Sequence, residues 1–123
     1  MIFTIPVKKN CDFARVYKNG RYYIGKYLIL YVLKGNPGYN ALGVSASKKV
    51  GKSVRRNRQK RLVRENYRLM ESYVRNGFLF VFVIRAQSGD IPDFYIIRSE
   101  MRNLFTRAGV FDKQLWDNTQ KRD

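Results

Sequence analysis

The sequence has no histidine, one cysteine (Cys11), three prolines, and only nine acidic residues against 25 lysines and arginines. Without histidine, and with a single thiol, it lacks the donors of a zinc site. A lone cysteine also excludes an internal disulfide framework, which fits a reducing cytoplasm, and Cys11 is expected to pack against the first helix. Hydrolysis of a phosphodiester needs a general base, a nucleophile, or metal ions on clustered carboxylates. The acids here are scattered from Asp12 to Asp123, with no pair at metal-site spacing in one element, which argues against a protein-only nuclease. Glu65 lies among arginines and is expected to pair with them rather than serve as a base. Asp90 and Asp93, on either side of Pro92, read as a turn residue and a helix cap.

Long hydrophobic runs are missing too. Tyr27–Leu33 and Phe78–Ile84 are the longest at seven residues each, whereas a membrane-spanning helix needs about 20. They are strands or core segments. The apolar stretch Met1–Val7 comes before Lys8 and Lys9, the reverse of a secretory signal, so a cytoplasmic location is expected. No internal repeat or low-complexity segment interrupts the chain.

What is present is apolar surface and positive charge. At 123 residues and 45% hydrophobic, the chain is expected to form a single domain over 1–123, with about 118–123 as a frayed tail. The net charge of +16 is self-repulsive unless a polyanion neutralises it, and nucleic acid is the first candidate. An anionic membrane or an acidic protein comes well behind.

The expected fold is an α/β sandwich in the order α-β-β-α-β-α. Asn10 can cap a short helix carrying Phe13, Val16 and Tyr17 on one face, with Gly20 as a left-handed stop. Tyr22–Leu33 reads as a strand interrupted at Gly25 and Lys26; Ala41–Ser45 returns beside it, antiparallel. Ser53 is placed as the cap of the longest helix, running to about Arg75. Phe78–Ile84 reads as a strand covered on both faces, and Asp93–Ala108 as a final helix.

Between Lys48 and Arg68 ten basic residues accompany a single acid, Glu65. On a helical wheel Val63, Tyr67, Met70 and Val74 make one stripe, widened by Leu62, Leu69 and Tyr73. Asn57, Lys60, Arg61, Arg64 and Arg68 fall on the other side. A solvated helix face ordinarily mixes signs; one sign dominated by arginine favours phosphate, which the guanidinium fork fits. Lys48, Lys49 and Lys52, around Gly51, extend the patch toward the helix start, although their spacing is not that of a nucleotide-binding loop.

The string Ser47-Lys-Lys-Val-Gly-Lys-Ser-Val-Arg-Arg-Asn-Arg-Gln-Lys-Arg-Leu-Val-Arg-Glu65 closely resembles the signature of the bacterial ribonuclease P protein component. Its hallmark is Arg56-Asn57-Arg58 followed by Lys60-Arg61 and Arg64-Glu65. Lys8-Lys9-Asn10, Asp12-Phe13 and Ile84-Arg85-Ala86 extend the likeness over nearly the whole chain. The resemblance implies a non-catalytic protein subunit of a ribonucleoprotein endoribonuclease that removes the 5′ leader of precursor tRNA. The chemistry would belong to magnesium ions in the RNA active site, with no cofactor bound by the protein.

By the same resemblance Lys48, Lys49, Lys52, Arg56, Asn57, Arg58, Lys60, Arg61, Arg64 and Arg68 contact the catalytic RNA. Phe13, Tyr17 and Tyr31 take the single-stranded leader, where aromatic faces stack on bases. Core packing is a comparable reading for Phe13 alone. The family often has phenylalanine where Tyr17 stands. The family also implies a left-handed crossover around the basic helix, against the usual right-handed rule. Implied partners are the catalytic RNA and precursor tRNA, with no membrane and no obligate protein partner. Two rival readings are a general nucleic-acid binder, with the long helix in a groove, and a cationic module for lipid or acidic protein. The first lacks the short turn of a groove reader; the second leaves the aromatic positions unused.

Overall fold

The computed structural model describes residues 3–121. Its order is β1 (Thr4–Pro6), α1 (Asn10–Asn19), β2 (Arg21–Ile24), β3 (Leu28–Lys34), β4 (Asn40–Ala46), α2 (Ser53–Met70), β5 (Phe78–Ile84), α3 (Phe94–Arg107) and α4 (Lys113–Lys121). The strands form one sheet in the order β1-β4-β5-β3-β2. The α/β architecture expected from the sequence is present, with additional short elements at both ends.

Strand alternation sets the two faces. Leu28, Leu30, Leu42, Val44, Phe80 and Phe82 point to one side and join Val63, Tyr67, Met70, Ile97, Met101 and Phe105 from α2 and α3. Ala41, Leu79 and Val81 point to the other and meet Val16 of α1, with Phe13 and Tyr31 half-buried beside them. Phe80 and Phe82 are fully buried, each stabilising the fold by about 1.5–3 kcal/mol through removal of apolar area from water.

Several expectations are corrected. Tyr22–Leu33 is not one interrupted strand: β2 and β3 are an antiparallel hairpin turning near Gly25 and Lys26. The Glu100 carboxylate holds the turn by accepting the amides of Lys26 at 2.7 Å and Tyr27 at 2.9 Å, and Arg85 donates to the Gly25 carbonyl at 2.7 Å. Nor does β4 pair with β3. The continuous apolar run of β5 needs cover on both faces and takes the slot between them, parallel to β4 and antiparallel to β3. β4 and β5 are therefore parallel neighbours joined through α2.

Neither Asn10 nor Ser53 is a cap; Lys9 and Lys52 hold those positions without side-chain cap bonds. Gly20 is extended at φ −78° rather than left-handed. It is close approach that explains the glycine, since a Cβ there would lie 2.6 Å from the Val16 carbonyl oxygen. α2 ends at Met70 and tightens into a 3-10 turn over Glu71–Tyr73, leaving Leu69 exposed outside the buried stripe. Cys11 is exposed on α1 instead of packed. Asp93 does cap α3, accepting the Ile96 amide at 2.9 Å.

Residues 118–121, expected to fray, belong to α4; 122–123 lie outside the described residues. α4 is held by Trp116, buried against Tyr73 with ring centroids 5.0 Å apart, under the Arg98 guanidinium at 4.7 Å. A polar tie binds the sheet to α2. The Asn40 amide donates to the Arg75 carbonyl at 3.0 Å and accepts from the Phe78 amide at 3.1 Å, while the Tyr67 hydroxyl shares a 2.7 Å bond with Thr4 Oγ1.

Candidate nucleic-acid interface

α2 divides cleanly. Gln59, Val63, Asn66, Tyr67 and Met70 are buried. Asn57, Arg58, Arg61, Arg64 and Arg68 are exposed. Asn66 pins the helix to the start of α3 by donating to the carbonyls of Leu62 at 3.0 Å and Phe94 at 3.2 Å. Arg61, Arg64 and Arg68 border one shallow depression with Glu65. The 3.4 Å pair between Glu65 and Arg68 is solvent-exposed, and such pairs contribute about 0–1 kcal/mol. Among the described residues Arg61 and Arg64 have no acidic partner within ion-pair distance.

Arg56 is half-buried, with its Nε buried and unbonded. Arg55, which the sequence reading left without a role, donates to the Gly89 carbonyl at 2.8 Å and anchors the loop before α3. Upstream, Lys48 and Lys49 sit exposed on a 3-10 turn that leads to Lys52. Gly51 permits this bend: its φ of +142° is in the region that side chains rarely adopt.

The second part is a cleft of about 420 Å³ where α1, β4 and α2 meet. Phe13 and Tyr17 line it from α1, Ser45 and Ala46 from β4, and Lys60 from α2. Phe13 lies directly over Gly43, where a Cβ would come within 2.7 Å of the ring. Phe13 is thus both core and cleft wall. From Phe13 the rings continue to Tyr17 at 6.3 Å and from Tyr17 to Tyr31 at 5.0 Å. The three aromatic residues marked by the family resemblance are together, and Lys60 is the basic residue that lines the cleft with Phe13 and Tyr17; Arg58, Arg61, Arg64 and Arg68 do not line it.

A fourth ring was missed. Tyr22 on β2 pairs with Tyr31, centroids 5.8 Å apart. No local signal gave it: a two-residue turn at Gly25-Lys26 would set Tyr22 across from Ile29, whereas the observed register turns at Lys26-Tyr27.

The described acids are largely engaged in holding structure: Glu100 at the hairpin, Asp93 on α3, Asp112 accepting the Leu115 amide at 2.9 Å, and Glu71 accepting the Phe3 amide at 3.1 Å. Among the described residues no three histidine, cysteine, aspartate or glutamate side chains group as metal ligands, and no helix is long and apolar enough to cross a membrane.

With this geometry in hand, the family model described as "Ribonuclease P" matches residues 4–109. This chain belongs to the ribonuclease P protein family. The Ribonuclease P protein component of Clostridium botulinum (strain 657 / Type Ba4) is 45% identical over 107 residues, covering 86% of this chain and 96% of that one. That of Clostridioides difficile (strain 630) is 41% identical over 108 residues, covering 87% and 94%. The solved RNase P protein from Thermotoga maritima has 30% identity and a TM-score of 0.76, covering 83% of this chain and 96% of that chain. The chain is therefore the protein subunit of the ribonucleoprotein that matures the 5′ end of tRNA. Residues 113–121, which form α4, lie beyond the matched segment.

Proposed function

We propose that the subunit works with two surfaces at once: the outer face of α2 and the lysine turn before it hold the catalytic RNA, and the aromatic cleft holds the single-stranded leader of precursor tRNA. The observation that carries this reading is Lys60, which belongs to the basic helix yet lines the cleft with Phe13 and Tyr17. A strand stacked on those rings would pass a cation where its phosphates leave the cleft, beside the surface offered to the other RNA.

Within this reading Arg56, Asn57, Arg58, Arg61, Arg64 and Arg68, with Lys48, Lys49 and Lys52, lower the repulsion between the two RNAs. The protein supplies grip and alignment. Magnesium held in the RNA supplies the hydrolytic chemistry, and the cytoplasm is the compartment where both RNAs meet.

The test is a reconstitution of the chain with a bacterial ribonuclease P RNA and labelled precursor tRNA, at magnesium too low for the RNA alone. Cleavage at the mature 5′ end should need both components. Tyr31→Ala should weaken precursor tRNA binding by about fivefold or more, as expected for one lost base stack, with mature tRNA binding nearly unchanged. Equal losses for the two substrates would remove the leader assignment.

A further inference from the structure

Tyr22 stands outside the positions that the family resemblance marks for the leader, yet it continues their row. The β2–β3 register sets it opposite Tyr31, with ring centroids 5.8 Å apart and planes inclined by 38°. β2 is the terminal strand of the sheet, so no further strand adjoins it. Tyr22 is 61% exposed, against 39% for Tyr17. Alternation turns its neighbours Arg21 and Tyr23 to the opposite face, where both line a depression with Val32.

Taken singly, an exposed tyrosine needs no explanation. A cross-strand aromatic pair would also account for its contact with Tyr31. Neither reading accounts for four rings in succession, at 6.3, 5.0 and 5.8 Å, running from the Lys60 end of the cleft to the free edge of the sheet. Single-stranded RNA uses such a platform, because every base has a face to stack and successive rings accept successive bases without regard to sequence.

We propose that Tyr22 is a fourth stacking surface for the leader, taking a nucleotide farther from the cleavage site than those at Phe13, Tyr17 and Tyr31. The direction follows from Lys60, which joins the opposite end of the row to the helix facing the catalytic RNA. The proposal rests on the leader reading given above, and it makes binding by this subunit sensitive to leader length.

The experiment uses the reconstituted holoenzyme and precursor tRNAs whose leaders are shortened one nucleotide at a time. Affinities are compared for the unmodified chain and for Tyr22→Ala, Tyr22→Phe and Tyr31→Ala, with thermal unfolding of each protein alongside. Tyr22→Ala should bind the longest leaders about fivefold more weakly, and match the unmodified chain once the leader is too short to reach it. Tyr22→Phe, which keeps the ring, should behave as the unmodified chain throughout. If Tyr22→Ala matches it at every length while Tyr31→Ala loses leader dependence, the path ends at Tyr31 and the proposal fails while the leader reading stands. An equal loss on all leaders and on mature tRNA, with lowered thermal stability, would make Tyr22 a support for the edge strand and also overturn it. If Tyr31→Ala keeps full leader dependence, the leader reading falls and the Tyr22 assignment with it.

Discussion

Tyr67 lies wholly within the core of α2 and the sheet, yet its hydroxyl is kept in hydrogen-bonding contact with Thr4 and Asn40. Burial pushes its phenol above the ordinary value of 10.0; the bonds from Thr4 and Asn40 act the other way, and the charge of Glu71 adds to the rise. A folded-state value above the unfolded one means that the neutral phenol is favoured in the fold. The stability it contributes is fully present below pH 10.0 and is lost as pH rises through the higher folded-state value. Tyr67→Phe should cost about 1 kcal/mol at neutral pH, the typical net worth of one hydrogen bond. In urea unfolding, the lead of the unmodified protein over Tyr67→Phe should shrink as pH rises above the ordinary tyrosine value of 10.0. A lead that stays constant over that rise would contradict this account.

At the scale of elements, α2 was the most legible part of the sequence, because one 3.6-residue period separates Val63, Tyr67 and Met70 from Arg61, Arg64 and Arg68. The sheet was harder to read. Tyr22–Leu33 has strand composition on both sides of Gly25, and what makes it a hairpin is Glu100, a residue far along the chain that closes the turn. The neighbour of β4 was equally out of reach, since it depends on where β5 best covers its two apolar faces. The candidate site divides in the same way. Its charged half was visible as a motif, and Phe13, Tyr17 and Tyr31 came from family likeness. Tyr22 depended on a register that no local pattern states. For the basic helix, Arg64→Ala should weaken binding to the catalytic RNA and reduce the slope of log affinity against log salt by about one, as for one lost phosphate contact. An unchanged slope would place Arg64 outside the phosphate contacts.

The whole molecule carries +16, and among the described residues the ion pairs, Asp12 with Arg15 and Glu65 with Arg68, are both solvent-exposed. Salt should therefore act on it in two opposite senses. For the free protein it screens self-repulsion, so the melting temperature should rise by a few degrees between low and moderate ionic strength. For the complex it restores the counterion atmosphere of the RNA, so affinity should fall over the same range. A free-protein melting temperature that drops with added salt would show that local pairs outweigh the global repulsion. Strand order has a further consequence, for the chain as it leaves the ribosome. β5 occupies the middle of the sheet but comes last among the strands, after β1, β4, β3 and β2 have all been made. Until Ile84 has emerged, β3 and β4 each present an open edge with nothing between them. The nascent chain thus passes through a stage in which two strand edges are free to pair wrongly, and closure waits on a segment that brings distant parts of the chain together in one step.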